Sequence, residues 1–233
     1  ACSMAAGLSV TGYVPFVHSF AVFSSRRMVD QIFLSCAYAG LNVKIIGGDA
    51  GVSAAVNGGT HMAFEDLGVL RSIVGLRLFE PTDNVMVKAL IPLLASQYGV
   101  DYIRMPRRGV VKIYDEGESF TPGEAKVLRE GSDVAIIASG VLVSEALLAA
   151  EALAIEGIEA RVVDCFTSQP LDTRCVIESA QSTGCVVTAE NHNVIGGLGD
   201  AVGAVLLEGG ACVPFKKHGV EDSFGSVGPQ DYL

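Results

Sequence analysis

Charge is scarce in this sequence. Only 18% of the 233 residues are Asp, Glu, Lys or Arg, and 50% are apolar. That balance excludes a disordered chain and leaves enough apolar side chain for a substantial core. Basic runs do not exceed pairs such as Arg26-Arg27 and Arg107-Arg108, and the net charge is −10, so no nucleic acid partner is expected. No apolar stretch reaches the roughly 18 residues that a membrane span requires, so no membrane partner is expected either. There is no CxxC pair. The six cysteines, Cys2, Cys36, Cys165, Cys175, Cys185 and Cys212, are widely spread, and several sit in apolar runs where they read as small core residues. That usage suits a reducing, cytoplasmic setting. The ends lack signals as well. The chain opens ACSMAAGLSV, helix interior with neither cap nor initiating Met, and stops at GPQDYL without a charged tail. The expectation is a portion of a longer polypeptide.

What is present alternates. Short runs at residues 14–18, 43–46, 76–79 and 101–105 read as strands, the second with the β-branched content of a buried strand. Between them lie helical patterns at 1–10, 24–39 and 82–98. In the second, Met28, Val29, Ile32, Phe33 and Cys36 recur at i, i+3/i+4 spacing. In the third, Thr82 can cap, and the interior Pro92 should kink the helix. Residues 106–122 are polar, carry Gly109 and Gly117, and have no helical period. A second alternation follows, with strands at 134–138, 160–164, 185–190 and 213–217 and helices at 141–155, 173–182 and 199–207. The pattern predicts two three-layer α/β/α domains with mainly parallel sheets, at 1–108 and 124–233, joined by a linker at 109–123.

The chain is organised around residues 45–65, IIGGDAGVSAAVNGGTHMAFE. A buried-strand run gives way to a long Gly/Ala loop, whose glycines permit φ > 0 and close backbone approach. Unstructured loops of this length are more often functional than idle. GGDAGVSAAVNGGTHMAFEDLGVLR, with TGYVPFVHSFAVF before it and YIRMPRR and TAENHNVIGGLGDAV after it, resembles the transketolase family of thiamine-diphosphate enzymes. The resemblance spans essentially the whole chain and is strongest to the C-terminal half of split transketolases, in which two polypeptides share the work.

The resemblance implies roles for particular residues. Phe20 and Phe23 match rings that pack around the aminopyrimidine of thiamine diphosphate; the family often has a further aromatic three positions on, where this chain has Arg26. His61 matches a histidine that contacts substrate and helps move protons, as a near-neutral pKa allows. Arg107 matches an arginine that binds sugar phosphate, and Arg104 follows the same strand to the edge where α/β sheets hold ligands. Asp49 stands where transketolases commonly have a phosphate-binding His, and Asn57 where they have an Asp that bonds a donor hydroxyl. VIGGLGDAVG tempts toward a dinucleotide site, but it lacks GxGxxG, and Asp200 would repel a pyrophosphate at the helix start. His192 and His218 read as structural.

Two features of the family are missing from these residues. There is no GDG…N motif, which holds the divalent metal and the diphosphate, and the family's glutamate that starts ylide formation would fall three residues before Ala1. The resemblance therefore implies a two-carbon ketol transfer between sugars at an active site shared with a partner. That partner is the N-terminal, diphosphate-binding transketolase half, which holds Mg²⁺ or Ca²⁺. Homodimer formation is also expected, in keeping with a mean hydropathy of +0.43. The alternatives are 1-deoxyxylulose-5-phosphate synthase, the β subunit of a 2-oxo acid dehydrogenase, or a non-catalytic scaffold subunit.

Overall fold

Short apolar strands separated by amphipathic segments have a favoured solution, parallel strands joined by crossover helices. The computed structural model, which describes residues 1–233 apart from the side chain of Asp231, adopts it twice. The first half contains α1 (Cys2–Val10), β1 (Phe16–Phe20), α2 (Ala21–Ser24), α3 (Val29–Gln31), β2 (Val43–Gly48), α4 (Asp66–Leu70), β3 (Leu76–Phe79), α5 (Asn84–Ser96) and β4 (Val100–Arg104). The second contains β5 (Lys126–Arg129), β6 (Val134–Ala138), α6 (Leu142–Ile155), β7 (Ala160–Asp164), β8 (Thr167–Gln169), α7 (Thr173–Thr183), β9 (Val186–Asn193), α8 (Leu198–Glu208) and β10 (Phe215–Val220). The sheets run β1-β2-β4-β3-β8 and β10-β9-β6-β7-β5. All pairings are parallel except those of β8 with β3 and β5 with β7.

In the first sheet Val43 and Ile45 of β2 join Leu76, Leu78 and Tyr102 in one core, while Phe79 and Ile103 join Met86, Leu90 and Leu94 of α5 in another. Burial on both faces is what a parallel sheet covered by helices demands. Phe120 and Phe166, from later in the chain, complete the α5 side.

Several elements differ from the sequence reading. Residues 24–39 are not one α-helix: α2 and α3 are separate, and a π-helical segment, Ile32–Tyr38, follows. The central loop is not structureless, since Gly51–Asn57 forms 3-10 turns. Asp83, not Thr82, caps α5: its carboxylate accepts from Met86 N at 2.9 Å, and the helix continues past Pro92 to Ser96. Thr82 instead donates to Asp164, in the second half. The antiparallel edge strands β5 and β8 carry no alternating pattern long enough to show in sequence. Moreover β8 belongs to the sheet of the other half, which no local signal can reveal.

The two halves are tied by polar contacts. Glu80 accepts from Ser139 at 2.6 Å. Asp164 accepts from Thr82 at 2.5 Å and from the linker's Tyr114 hydroxyl at 2.7 Å. Arg71 donates to the carbonyls of Gly196 and Gly197 at 2.8 and 3.0 Å. No helix is long and apolar enough to cross a membrane.

Candidate active site

Parallel β-strands point their carboxyl ends the same way, and α/β proteins bind ligands beyond that edge. Here β1 ends at Phe20, paired with Gly48 of β2, and Gly47 of β2 pairs with Arg104 of β4. The register therefore brings Phe20, the loop after β2 and the arginines after β4 to one edge. A side chain at Gly47 would collide with the Tyr102 hydroxyl, so only glycine lets β2 pass it.

Three rings meet at this edge. Phe20 and Phe23 lie 5.8 Å apart, and His61 is 5.3 Å from Phe20 and 5.6 Å from Phe23, all edge to face. That is the preferred geometry of aromatic contact. Residues 20 and 61 are distant in sequence, and the turn after β1 and the end of the 3-10 segment bring them together. His61 Nδ1 lies 2.9 Å from Thr60 Oγ1, and among the described residues Nε2 has no hydrogen-bond partner. Arg27 covers a face of Phe23 at 4.3 Å from the ring centre. Arg26, where the family often has an aromatic, pairs with Glu65 at 3.0 Å. A cavity of about 450 Å³ opens beside Phe23, bordered by Cys2, Val17, Ser19 and Arg27. Its size is within the range of small-ligand sites.

The loop after β2 is held from both sides. Asp49 (φ 57°) and Ala55 (φ 45°) adopt left-handed backbone, which costs energy in non-glycine residues and persists only where the surroundings impose it. Asn191 imposes much of it: its Oδ1 accepts from Val52 N at 3.0 Å, and its Nδ2 donates to Ala50 O at 3.3 Å. Asn191 also fills the space that a side chain at Gly51 (φ 56°) would need. In the sequence Asn191 stands in the ENHN text beside the more conspicuous His192, and no local pattern marks it as a site element.

Arg107 turns back onto this loop. Its Nε lies 3.3 Å from Asp49 Oδ2, and its Nη1 donates to Asn57 Oδ1. The predicted trio of Asp49, Asn57 and Arg107 is one cluster, with Arg107 pairing with Asp49.

Arg104 differs from the expectation of a substrate contact. It is fully buried and directs its donors into the fold: Nε to Asp66 at 2.9 Å, Nη1 to Glu80, and Nη2 to the carbonyls of Ala63 at 3.0 Å and Asn191 at 2.6 Å. Burial alone would lower its pKa, but Asp66 and Glu80 overcome this and hold it raised. The physical reason is strand register: residue 104 is still inside β4 and points into the molecule. Tyr102 donates to Asp66 at 2.7 Å, and burial together with the Asp66 charge raises its pKa, so it remains a donor. His192 is also interior, with Nδ1 donating to Asn193 O at 2.7 Å and Nε2 accepting from Gly68 N at 3.3 Å.

The residues fit a flat heteroaromatic ring. Half-buried phenyl groups offer apolar contact, and a cavity adjoins Phe23, though Phe20 and His61 do not line it. Among the described residues no three His, Cys, Asp or Glu side chains converge to hold a metal ion. A parallel sheet with aromatic rings and a histidine at its carboxyl edge, packed on a second α/β domain, places the chain among two-domain α/β proteins with a ligand edge. The family comparisons agree with that class. The family model for the transketolase pyrimidine binding domain matches residues 1–111, and that for the transketolase C-terminal domain matches 123–233. The chain belongs to the transketolase family.

It is 51% identical over 230 residues to the 6-deoxy-6-sulfo-D-fructose transketolase subunit SqwH of Clostridium sp. (strain MSTE9), covering 99% of this chain and 71% of that protein. It is 40% identical over 197 residues to human transketolase, covering 83% of this chain but 31% of that one. Among solved structures, one described as "Split gene transketolase, inactive beta4 tetramer" superposes with a TM-score of 0.92 at 43% identity, covering 99% of this chain and 74% of that chain. The chain is thus similar to one subunit of split transketolases.

Proposed function

We propose that this chain supplies the pyrimidine-binding half of a ketol-transfer site, completed by a partner that carries the diphosphate-binding half and its Mg²⁺ or Ca²⁺. The observation that carries the reading is the convergence of Phe20, Phe23 and His61 at the carboxyl edge of β1 and β2. Phe20 and Phe23 would hold the aminopyrimidine of thiamine diphosphate. When bound, that cofactor stabilises the two-carbon carbanion passed from ketose to aldose. His61, whose Nδ1 contacts Thr60 Oγ1, would direct Nε2 at the substrate, where an imidazole can give or take a proton at a sugar oxygen. The setting would be the cytoplasm, where the six free thiols stay reduced.

The Asp49–Arg107–Asn57 cluster would read the far end of the sugar. Arg107 would ordinarily bind a phosphate in bidentate fashion. With Asp49 at its Nε, the cluster presents little net positive charge. A phosphate ester carries about −1.5 to −2 at neutral pH, and a carboxylate about 4 Å away would oppose it by on the order of 4 kcal/mol at an effective dielectric near 20, before screening. A neutral end, or a sulfonate with its single negative charge, meets less opposition. The name of the 51% identical relative specifies a sulfonated ketose. The donor would therefore end in a hydroxyl or a sulfonate rather than a phosphate.

The test is reconstitution with the diphosphate-binding partner and comparison of ketoses ending in hydroxyl, sulfonate or phosphate. Wild type is expected to disfavour the phosphate. Asp49→His should improve phosphate use relative to the other donors by roughly tenfold, equivalent to about 1.4 kcal/mol of the opposition left after screening. Preference of wild type for phosphate, with no change in Asp49→His, would overturn the donor assignment. Absence of transfer from any donor, with the partner bound, would support the scaffold reading instead.

A further inference from the structure

Two buried thiols face each other behind the ring cluster. Cys2, in the first turn of α1, and Cys36, in the π-helical segment, place their Sγ atoms 3.5 Å apart. Cys2 is 2% exposed and Cys36 is fully buried. Their surroundings are apolar, with Ala5, Ala6, Val17 and Ile32 in the same core cluster. Among the described residues each sulfur has only the other as a hydrogen-bond partner, and no His, Asp or Glu joins them as a metal ligand. The cavity of about 450 Å³ beside Phe23 touches Cys2 but not Cys36, and Arg27 and Gln31 stand on its wall.

We propose that Cys2 and Cys36 are a peroxide-oxidisable dithiol, with Cys2 the attacking and Cys36 the resolving residue. The cavity touches Cys2 and not Cys36, and hydrogen peroxide is a molecule little larger than water. The Cys2 thiolate attacks one peroxide oxygen; an S–O bond forms, the O–O bond breaks, and the leaving hydroxide takes a proton to become water. Cys2 is then a sulfenic acid. The Cys36 sulfur attacks the Cys2 sulfur; the S–S bond forms, the S–O bond breaks, and the second oxygen leaves as water with the Cys36 proton. Two thiols lose two hydrogens in total, and one peroxide becomes two waters.

The contact with Cys36 holds the Cys2 thiol below its usual range, and the same contact together with burial pushes Cys36 up. The other thiols are poorer candidates. Burial raises Cys165 and Cys175, and Cys212 is exposed without a cysteine partner among the described contacts. Closing the bond brings the sulfurs from 3.5 Å to about 2.05 Å. The cross-link would then tie α1 to the segment behind Phe23, on the wall of the same cavity. π-Helical turns recur at functional sites, where one element must yield to another.

The experiment treats the reduced full-length chain with hydrogen peroxide, alkylates the remaining thiols under denaturing conditions, and maps peptides by mass spectrometry. A Cys212→Ser background removes the exposed thiol. The expected result is a Cys2–Cys36 linked peptide, reversed by dithiothreitol, forming at least ten times faster than any modification of Cys165 or Cys175. In Cys36→Ala the link is lost, and Cys2 is instead trapped as a sulfenic acid by dimedone. Recovery of both Cys2 and Cys36 as free thiols, at a peroxide dose that oxidises Cys212 in the wild type, overturns the proposal. Dimedone labelling of Cys36 in Cys2→Ala, at the rate seen for Cys2 in Cys36→Ala, overturns the assignment of the attacker. If a variant does not fold, the wild-type peptide map decides the question alone.

Discussion

Arg104 and Arg107 lie on either side of a strand end and behave oppositely. Arg104 is the only Arg or Lys reaching the buried carboxylates Asp66 and Glu80 among the described ion pairs, and it also holds two backbone carbonyls. Arg104→Met leaves two acids buried without compensation and is expected to cost about 3–5 kcal/mol, the range found when one partner of a buried pair is removed. A urea titration of the variant checks this. Arg107 is exposed and its pair is solvated. Arg107→Ala should change stability by less than about 1 kcal/mol while altering donor preference in the reconstituted enzyme. A loss of stability in Arg107→Ala as large as in Arg104→Met would refute the division of labour.

At the scale of elements, Asp83 links a helix to the chain between the two halves. One carboxylate oxygen caps α5 through Met86 N, and the other accepts from Ile113 N and Tyr114 N at 2.9 Å each. Asp83→Ala removes the cap, worth about 1 kcal/mol, and strands two partly buried N–H donors at roughly 1–3 kcal/mol in all. Limited proteolysis is expected to cut the connection near residues 108–118 faster in this variant than in wild type. Asp83→Asn keeps one acceptor, so it should restore the cap but not the protection of the connection. Equal cleavage rates in wild type and Asp83→Ala would show that the connection is held by other contacts.

The whole molecule depends on contacts between its halves, and one of them titrates. Asp164 is fully buried and its pKa is pushed up from 3.8 to about 7. Burial is the main cause, aided by the Glu80 and Asp83 charges and opposed by donation from Thr82 and Tyr114. A carboxyl whose folded pKa is raised favours the fold when protonated. Its contribution is therefore complete below the unfolded value of about 4 and is lost as pH rises through about 7. Urea midpoints of wild type relative to Asp164→Asn should decline from about pH 4.5 to 7.5; parallel curves would show that Asp164 stays ionised. At the level of assembly, a polypeptide of these residues alone should show no ketol transfer with thiamine diphosphate and Mg²⁺. It should also self-associate: Met4, Phe33, Leu34 and Tyr38 expose apolar side chains on α1 and the π-helical segment, and contiguous apolar surface usually marks an interface. Light scattering at micromolar concentration checks this, and a lone monomer would count against it.

The sequence by itself determined the alternation of strands and helices, because a buried parallel strand needs a short, largely apolar run and its crossover helix needs an amphipathic one. It also determined the family, since TGYVPFVHSFAVF, the Gly/Ala loop, YIRMPRR and ENHNVIGGLGDAV stand in order. It brought Phe20, Phe23 and His61 to notice as residue types. Only the tertiary structure decided what the arginines do. Whether residue 104 faces inward and residue 107 outward depends on where β4 ends, and the two are alike in charge and context. The same holds for β8 in the other half's sheet, for Asn191 beneath the loop and for Cys2 against Cys36, separated by 34 positions. Local propensity carries no information about such pairings. They are fixed when two sheets and their connections settle around shared cores, and a polar group finds its partner only among whatever that settling brings within reach.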